Sequence, residues 1–517
     1  MKRLTLDGSS LTVQEVCFFV NDGEASVDVA ESALLNVEKA REFLMEKLQK
    51  SIIYGVNTGF GPMASHIINH GQLVSLQKNL IRSHAAGIGK PISEKYVLAT
   101  MLVRLNTLLK GHSGVSSELV TQLQEFINRR ILPVVPEHGA VGTSGDLVQL
   151  AHIALALMGE GDVFYHGKKR NTSEVLQELG ITPYELKVKE GLSLINGTSM
   201  MTGIGALLCG EAERLLDIAM RLGALSLELV RAYDDCISKN LQDIRPHKGQ
   251  GAVAATLRGI LESSHMLKKR EGLSQPLENG QDVVTIPQTV QEFYSLRCIP
   301  QILGPVFDTL ANTRSIVQVE MNSTSDNPIV DWEHGLILHG GNFHGDYVAS
   351  AVDQLKAALV KLSMLSERRT NFFLNHEINK FFPPFMNLQT PGLTLGLQGL
   401  QFVATSTAAQ NQTLAFPHYI HSIPTNGDNQ DIVSMGTDAV LFAMKVVSNT
   451  NVILSVELIT LAQAVDFLQK KEQLSRSSQE LFERLRSVFP AVRDDRVIVH
   501  ELPQVVKLIK QMGKSTV

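Results

Sequence analysis

Residues 142–146 read Gly-Thr-Ser-Gly-Asp, inside the run HGAVGTSGDLVQLAHIALALMGEGDVF (138–164). A serine between a small residue and a glycine lets the main chain react with itself. The Gly145 amide nitrogen attacks the Thr143 carbonyl, and loss of two waters turns Ser144 into a dehydroalanine within a methylidene-imidazolone, a strong electrophile. Glycine is needed because a side chain would block the attacking nitrogen and resist the bent backbone. Ser144 supplies the leaving hydroxyl. Taken locally, the same residues also read as a polar turn whose Asp146 caps a helix over 147–158.

Other segments favour the first reading. YGVNTGFGP (54–62), NLIRSHAAG (79–87), EGLSLINGTSMM (190–201), QEFYSLRCIPQILGP (291–305), NSTSDNPI (322–329), HGGNFHGDY (339–347) and DNQDIVSMG (428–436) follow in that order. Over nearly the whole chain they resemble the aromatic amino acid and histidine ammonia-lyases, which depend on a methylidene-imidazolone. One departure is Thr143, where the family usually has Ala; that side chain takes no part in ring closure.

The resemblance implies an autocatalytic 4-methylidene-imidazol-5-one from Thr143-Ser144-Gly145, with no metal and no pyridoxal phosphate. It also implies roles for particular residues. Eliminating ammonia from an α-amino acid needs an electrophile, a base for a weakly acidic β-proton and a clamp for the carboxylate. Tyr54, in a Gly-rich loop able to close over a substrate, matches the base; alone, it reads equally as a packed tyrosine in a turn. Arg297, in YSLRC, matches the carboxylate clamp, and its apolar neighbours favour burial. Asn327 matches a second carboxylate contact, or else forms an Asn-Pro turn. Tyr294, counted with the catalytic residues, and Asn196, Gln291 and Phe343 match positions around the electrophile. Asn196 also suits a helix N-cap. His152 reads as a satisfied core histidine. His339 and His344, five apart across two glycines, lack a recognised metal-ligand spacing.

Substrate is read from fewer positions. Ser83-His84 is the pair usual in histidine enzymes, whereas phenylalanine enzymes tend to Phe-Leu and tyrosine enzymes to His-Leu. Histidine enzymes, however, carry glutamate at the position of Gln410, and QEDHVSM where this chain has Asn429-Gln430-Asp431-Ile432-Val433-Ser434-Met435. An imidazole gains from an anionic partner, about 1.5–3 kcal/mol as a charged hydrogen bond, and a neutral amide cannot supply it. A phenol loses nothing. The expectation is therefore a tyrosine ammonia-lyase making trans-4-coumarate, with His84 bonded to the phenol. The alternatives are histidine ammonia-lyase, making urocanate, then phenylalanine ammonia-lyase or an aminomutase. A non-catalytic helical scaffold, which has no need of Tyr54, Ser144 and Arg297 together, is the distant one.

The elements that position these residues are helices. Val348, Val352, Leu355, Leu359 and Leu362 recur at helical spacing, flanked by Asp353, Lys356 and Lys361. Stretches 205–234 and 436–469 are apolar on more than one side, as in the middle of a bundle. The fold expected is all-α: an N-terminal domain over 1–200 carrying the electrophile, then a long-helix bundle over 201–517. Short hairpins are expected at 163–169 and 329–339. The chain has 517 residues, 44% hydrophobic and 19% charged, with net charge −5 and no linker or low-complexity tract. That balance offers no nucleic-acid footprint. Four cysteines without pairing or ligand spacing point to a reducing cytoplasm, and the start MKRLTLDGSS lacks the apolar core of a secretory signal. Stretch 381–427 has no Asp, Glu, Lys or Arg, but its Pro, Asn, Gln and Thr argue against a membrane; segment 446–456 is too short to span. Burial between subunits fits better, and the resemblance implies a homotetramer whose active sites draw on several subunits.

Overall fold

Helices form wherever apolar residues recur at steps of three and four, and their burial follows the width of the apolar face. In the computed structural model, which describes residues 3–273, 282–286 and 289–512, α-helix dominates. The helix Glu94–Leu109 is buried from Tyr96 onward on every side, whereas Arg476–Arg486 and Leu502–Gln511 bury one stripe each. Four long helices, Ser199–Leu229, Ile299–Met321, Asp346–Leu374 and Gly436–Leu468, carry the architecture.

The expected face on Asp346–Leu374 is buried as predicted, but of its polar flank only Lys361 is exposed. Asp353 and Lys356 are interior. Asp353 Oδ2 accepts from the His418 and Tyr419 amides, at 2.5 and 2.8 Å, and Lys356 Nζ donates to the Phe416 carbonyl at 2.9 Å. Charge within an apolar helix here fastens a turn distant in sequence.

Both expected hairpins form: Asp162–Tyr165 with Lys168–Asn171, and Ile329–Asp331 with Leu336–Leu338. Short pairs that no alternation announced add to them, among them the parallel Arg3–Leu6 with Ser26–Val29. The segment 446–456 lies within the 33-residue helix Gly436–Leu468, which is long and apolar enough to cross a membrane by length and composition. Two-thirds of its most apolar window, 67%, is buried inside the chain, as in a core helix.

The chain divides into two compact units that interleave in sequence rather than parting near residue 200. The first comprises Met1–Gly210, Asn312–Gln354 and Pro417–Ala443; the second comprises Glu211–Ala311, Leu355–Phe416 and Met444–Val517. Each long helix contributes residues to both, so no linker marks a boundary.

Candidate active site

The first unit contains a cavity of about 860 Å³. Tyr54, Ser83, His84, Thr143, Ser144, Gly145, Asn196, Asn327, Phe343, Asn429 and Gln430 all line it, gathered from segments hundreds of residues apart.

The Thr143–Gly145 loop is sharply bent. Ser144 has φ +54° and Gly145 φ +82°, a region that non-glycine residues rarely adopt. A Cβ at Gly145 would overlap the Gly197 carbonyl, and one at Gly142 would overlap the Ser434 hydroxyl. Only glycine fits either place. The Gly197 amide donates to the Ser144 carbonyl at 3.2 Å, and the Asp146 amide to the Gly197 carbonyl at 2.8 Å.

Asp146 departs from its expected role. It stands at the N-cap of Leu147–Leu157 but makes no side-chain cap there. Its Oδ2 instead accepts from the Met200 and Met201 amides, at 2.9 and 3.0 Å, and its Oδ1 from the Thr437 hydroxyl at 2.6 Å. The carboxylate thus ties the Ser144 loop to the starts of two other helices, Ser199–Leu229 and Gly436–Leu468. Three helix N-termini meet around Asp146, an electropositive setting that favours negative charge. Burial pushes the Asp146 carboxyl up to about 6, opposed by these hydrogen bonds and by the Arg104 charge.

Asn196 ends the helix Glu190–Ile195 rather than capping a helix start. Its Nδ2 donates to the Asn327 carbonyl at 2.9 Å, and its Oδ1 is buried without a partner among the described residues. Asn327 Oδ1 accepts from the Gly340 amide at 2.9 Å. Beneath lies a charged layer that sequence reasoning missed. Arg104, whose guanidinium burial lowers to about 10, donates to the Ser193 and Asn196 carbonyls. Lys189 pairs with Asp326 at 2.8 Å, both fully buried. Helical periodicity gave no signal for either, because their partners lie far along the chain.

Tyr54 projects from a loop whose glycines serve close packing: a Cβ on Gly59 would overlap the Met63 carbonyl and one on Gly61, at φ +53°, the Asn426 side chain. The Tyr54 phenol oxygen accepts from the Gly61 amide at 3.0 Å. Gln430 Nε2 donates to the Ser144 hydroxyl at 3.2 Å. Asp431, not singled out from sequence, is the carboxylate on this wall.

At the other side, Ser83 and His84 end the helix Leu73–His84. His84 Nδ1 faces the Leu80 carbonyl at 2.9 Å. The same nitrogen lies 3.0 Å from the Ser83 hydroxyl, which itself donates to the Leu80 carbonyl at 3.0 Å. His152 is half-buried and accepts the Gly87 amide at Nε2, at 3.2 Å.

Gln291, Tyr294, Arg297 and Gln410 belong to the second unit and do not line this cavity. Arg297 is half-buried rather than buried; it donates to the Glu292 carbonyl, lies 4.5 Å from the Tyr294 ring centroid and borders a cavity of about 330 Å³ with Gln291. Tyr294 is exposed. Gln410 is exposed and accepts from Asn449 Nδ2 at 2.8 Å. No Lys or Arg is among the described residues lining the first unit's cavity. Nor do the described residues contain a metal-type cluster of three or more His, Cys, Asp or Glu.

A bent Ser-Gly loop, a tyrosine and paired amides around one cavity define a lyase-type site, and comparison with known proteins gives the class its name. The profile of the family described as aromatic amino acid lyase matches residues 11–487, and the chain belongs to that family. It is 40% identical, over 98% of its length and 95% of the relative's, to the MIO-dependent tyrosine 2,3-aminomutase of Streptomyces globisporus. Identity to the histidine ammonia-lyase of Macrococcus caseolyticus is 38%, over 98% and 99%. The crystal structure of tyrosine aminomutase from Streptomyces globisporus superposes with a TM-score of 0.95 at 39% identity, covering 98% of this chain and 97% of that one.

Proposed function

We propose that this chain is an ammonia-lyase that converts L-tyrosine to trans-4-coumarate by way of a 4-methylidene-imidazol-5-one formed from Thr143-Ser144-Gly145. The fit of that group rests on the loop itself: positive φ at Ser144 and Gly145, glycine-only packing against Gly197, and the buried Asn196 Oδ1 and Ser434 Oγ left over beside it. Once formed, the ring supplies an electron-poor carbon that activates the substrate for loss of its β-proton. Tyr54 takes that proton. Asn196 and Gln430 present amides to developing negative charge, and Phe343 packs beside them.

The observation that carries the tyrosine reading is that His84 and the neutral Gln430 line the same cavity. An imidazole nitrogen can pair with a phenolic O–H, which needs no anionic partner. Asn327 and Arg297 of the partner subunit form the carboxylate end, and Tyr294 of the partner subunit and Gln291 of the partner subunit stand around the electrophile, in a homotetramer. Support for that assembly comes from a cavity without a cation and from exposed Phe402, Leu393, Ile423 and Ile432 in and beside the uncharged stretch. Static light scattering of the purified protein tests the assembly.

A second reading, tyrosine 2,3-aminomutase, is favoured by the Streptomyces globisporus relative. It shares the elimination and adds return of ammonia to Cβ. Incubation with tyrosine, histidine and phenylalanine separately, following each unsaturated acid by ultraviolet absorbance and any β-amino acid by chromatography, decides among them. Coumarate as the sole product from tyrosine supports the lyase; accumulation of the β-amino acid supports the aminomutase, and urocanate formation overturns both.

A further inference from the structure

The Tyr54 loop is fastened to the rest of the cavity through its backbone. The Tyr54 amide donates to His339 Nε2 at 3.2 Å. His339 directly precedes Gly340, whose amide is bound by Asn327 Oδ1, and the Asn327 carbonyl is bound in turn by Asn196 Nδ2. Asn196 precedes Gly197, whose amide donates to the Ser144 carbonyl. Hydrogen bonds and single peptide links therefore run without a break from Ser144 to Tyr54, and His339 is the last of them. On its other flank the loop is held by Gln77 Nε2 on the Gly55 carbonyl, at 3.1 Å, and by the Gly55 amide on Thr58, at 2.9 Å.

We propose that His339 is a positioning residue for this reaction, accepting the Tyr54 amide at Nε2 and so fixing the base relative to the Ser144 loop. The inference rests on Tyr54 being the base. An accepting Nε2 requires a neutral ring protonated on Nδ1, and burial lowers the His339 pKa in that direction. The bond fixes a main-chain atom, so its effect reaches the phenol through one residue's geometry. Proton transfer is sensitive to displacements of that size.

The test uses full-length His339→Phe, which removes the acceptor, and His339→Gln, whose Oε1 restores one at similar reach. Hydrogen–deuterium exchange reads the Tyr54 amide directly. Turnover of tyrosine deuterated at Cβ reads the proton-transfer step. In His339→Phe the Tyr54 amide exchanges on the order of tenfold faster and kcat falls by a similar factor, as for loss of one hydrogen bond. KM changes little, and the isotope effect on kcat rises. His339→Gln recovers most of both. Unchanged exchange, or faster exchange with rate and isotope effect unaltered, overturns the proposal. Should the Phe variant not fold, His339→Ala is read by the same criteria. Failure of the underlying reading is separate: it shows as an active Tyr54→Phe, whatever His339 does.

Discussion

The two sides of the first unit's cavity are made of different materials. Around Ser144 the chain is held by main-chain bonds, glycine-only contacts and the buried Asp146 carboxylate, around which three helices start. At Ser83-His84 a single helix ends, and two side chains face the cavity with hydrogen bonds only to each other and to Leu80. At Gly145 the first environment leaves no room for a side chain, since backbone atoms of Gly197 occupy the space it would need. The second can exchange side chains without moving its backbone. On the proposed reading, reaction type lies with the rigid geometry and substrate choice with the replaceable groups, which fits relatives of similar overall identity that carry different substrate names.

The contrast breaks most completely at Ser144. Ser144→Ala lacks the leaving hydroxyl, so intact-mass spectrometry should find the unmodified chain mass and turnover should vanish while the far-ultraviolet circular dichroism stays native. The wild-type chain should be lighter by two waters. A fully active wild-type protein of unmodified mass would refute the electrophile outright.

Next in size is Tyr54→Phe. It removes one oxygen and the acceptor for the Gly61 amide, and should lower kcat about 10²–10⁴-fold with substrate affinity nearly unchanged. Steady-state kinetics checks it. A variant keeping most of the wild-type rate would move the base to another side chain.

The rigid wall also makes a pH prediction. Burial raises the Asp146 carboxyl from 3.8 to about 6 in the folded chain. Between those values the folded chain keeps a proton that the unfolded chain has released. Stability from this group is therefore full below about pH 4, falls as pH rises to about 6, and is flat beyond, a span of about 3 kcal/mol. Urea unfolding of Asp146→Asn should show a shallower fall over that window. An identical profile in both proteins would mean that the carboxylate is already compensated by Arg104 and the helix amides.

Sequence exposed these two walls unequally. Local rules located the buried stripe from Val348 to Leu362 and both hairpins, because each depends on neighbours within a few residues, whereas the Ser144 loop stood out from a polar turn only through the other segments along the chain. They missed the partners of Asp146, which lie 54, 55 and 291 residues away. They likewise gave no sign of the distant partners of Asp353 and Lys356. A charged residue within an apolar helix has the same local signature whether its partner is water or a distant carbonyl. His339 was weighed only as a metal ligand, and nothing in HGGNF shows that its ring meets the Tyr54 amide.

The smallest predicted effect falls on the replaceable wall, and it is the one that decides substrate. His84→Phe leaves the Ser144 loop and the main-chain path to Tyr54 intact, but it removes the nitrogen that would pair with the phenolic hydroxyl. Tyrosine should then lose about 1–3 kcal/mol in kcat/KM, the cost of a buried hydroxyl without its partner. Phenylalanine, with no hydroxyl to strand, should lose little or gain, so the ratio of the two specificity constants should move toward phenylalanine. Parallel losses for both substrates would mean that His84 shapes the cavity without touching the ring. Wild-type protein turning over histidine far better than tyrosine would show that Ser83-His84 outweighs the neutral Gln430, because an imidazole N–H can also pair with the His84 ring.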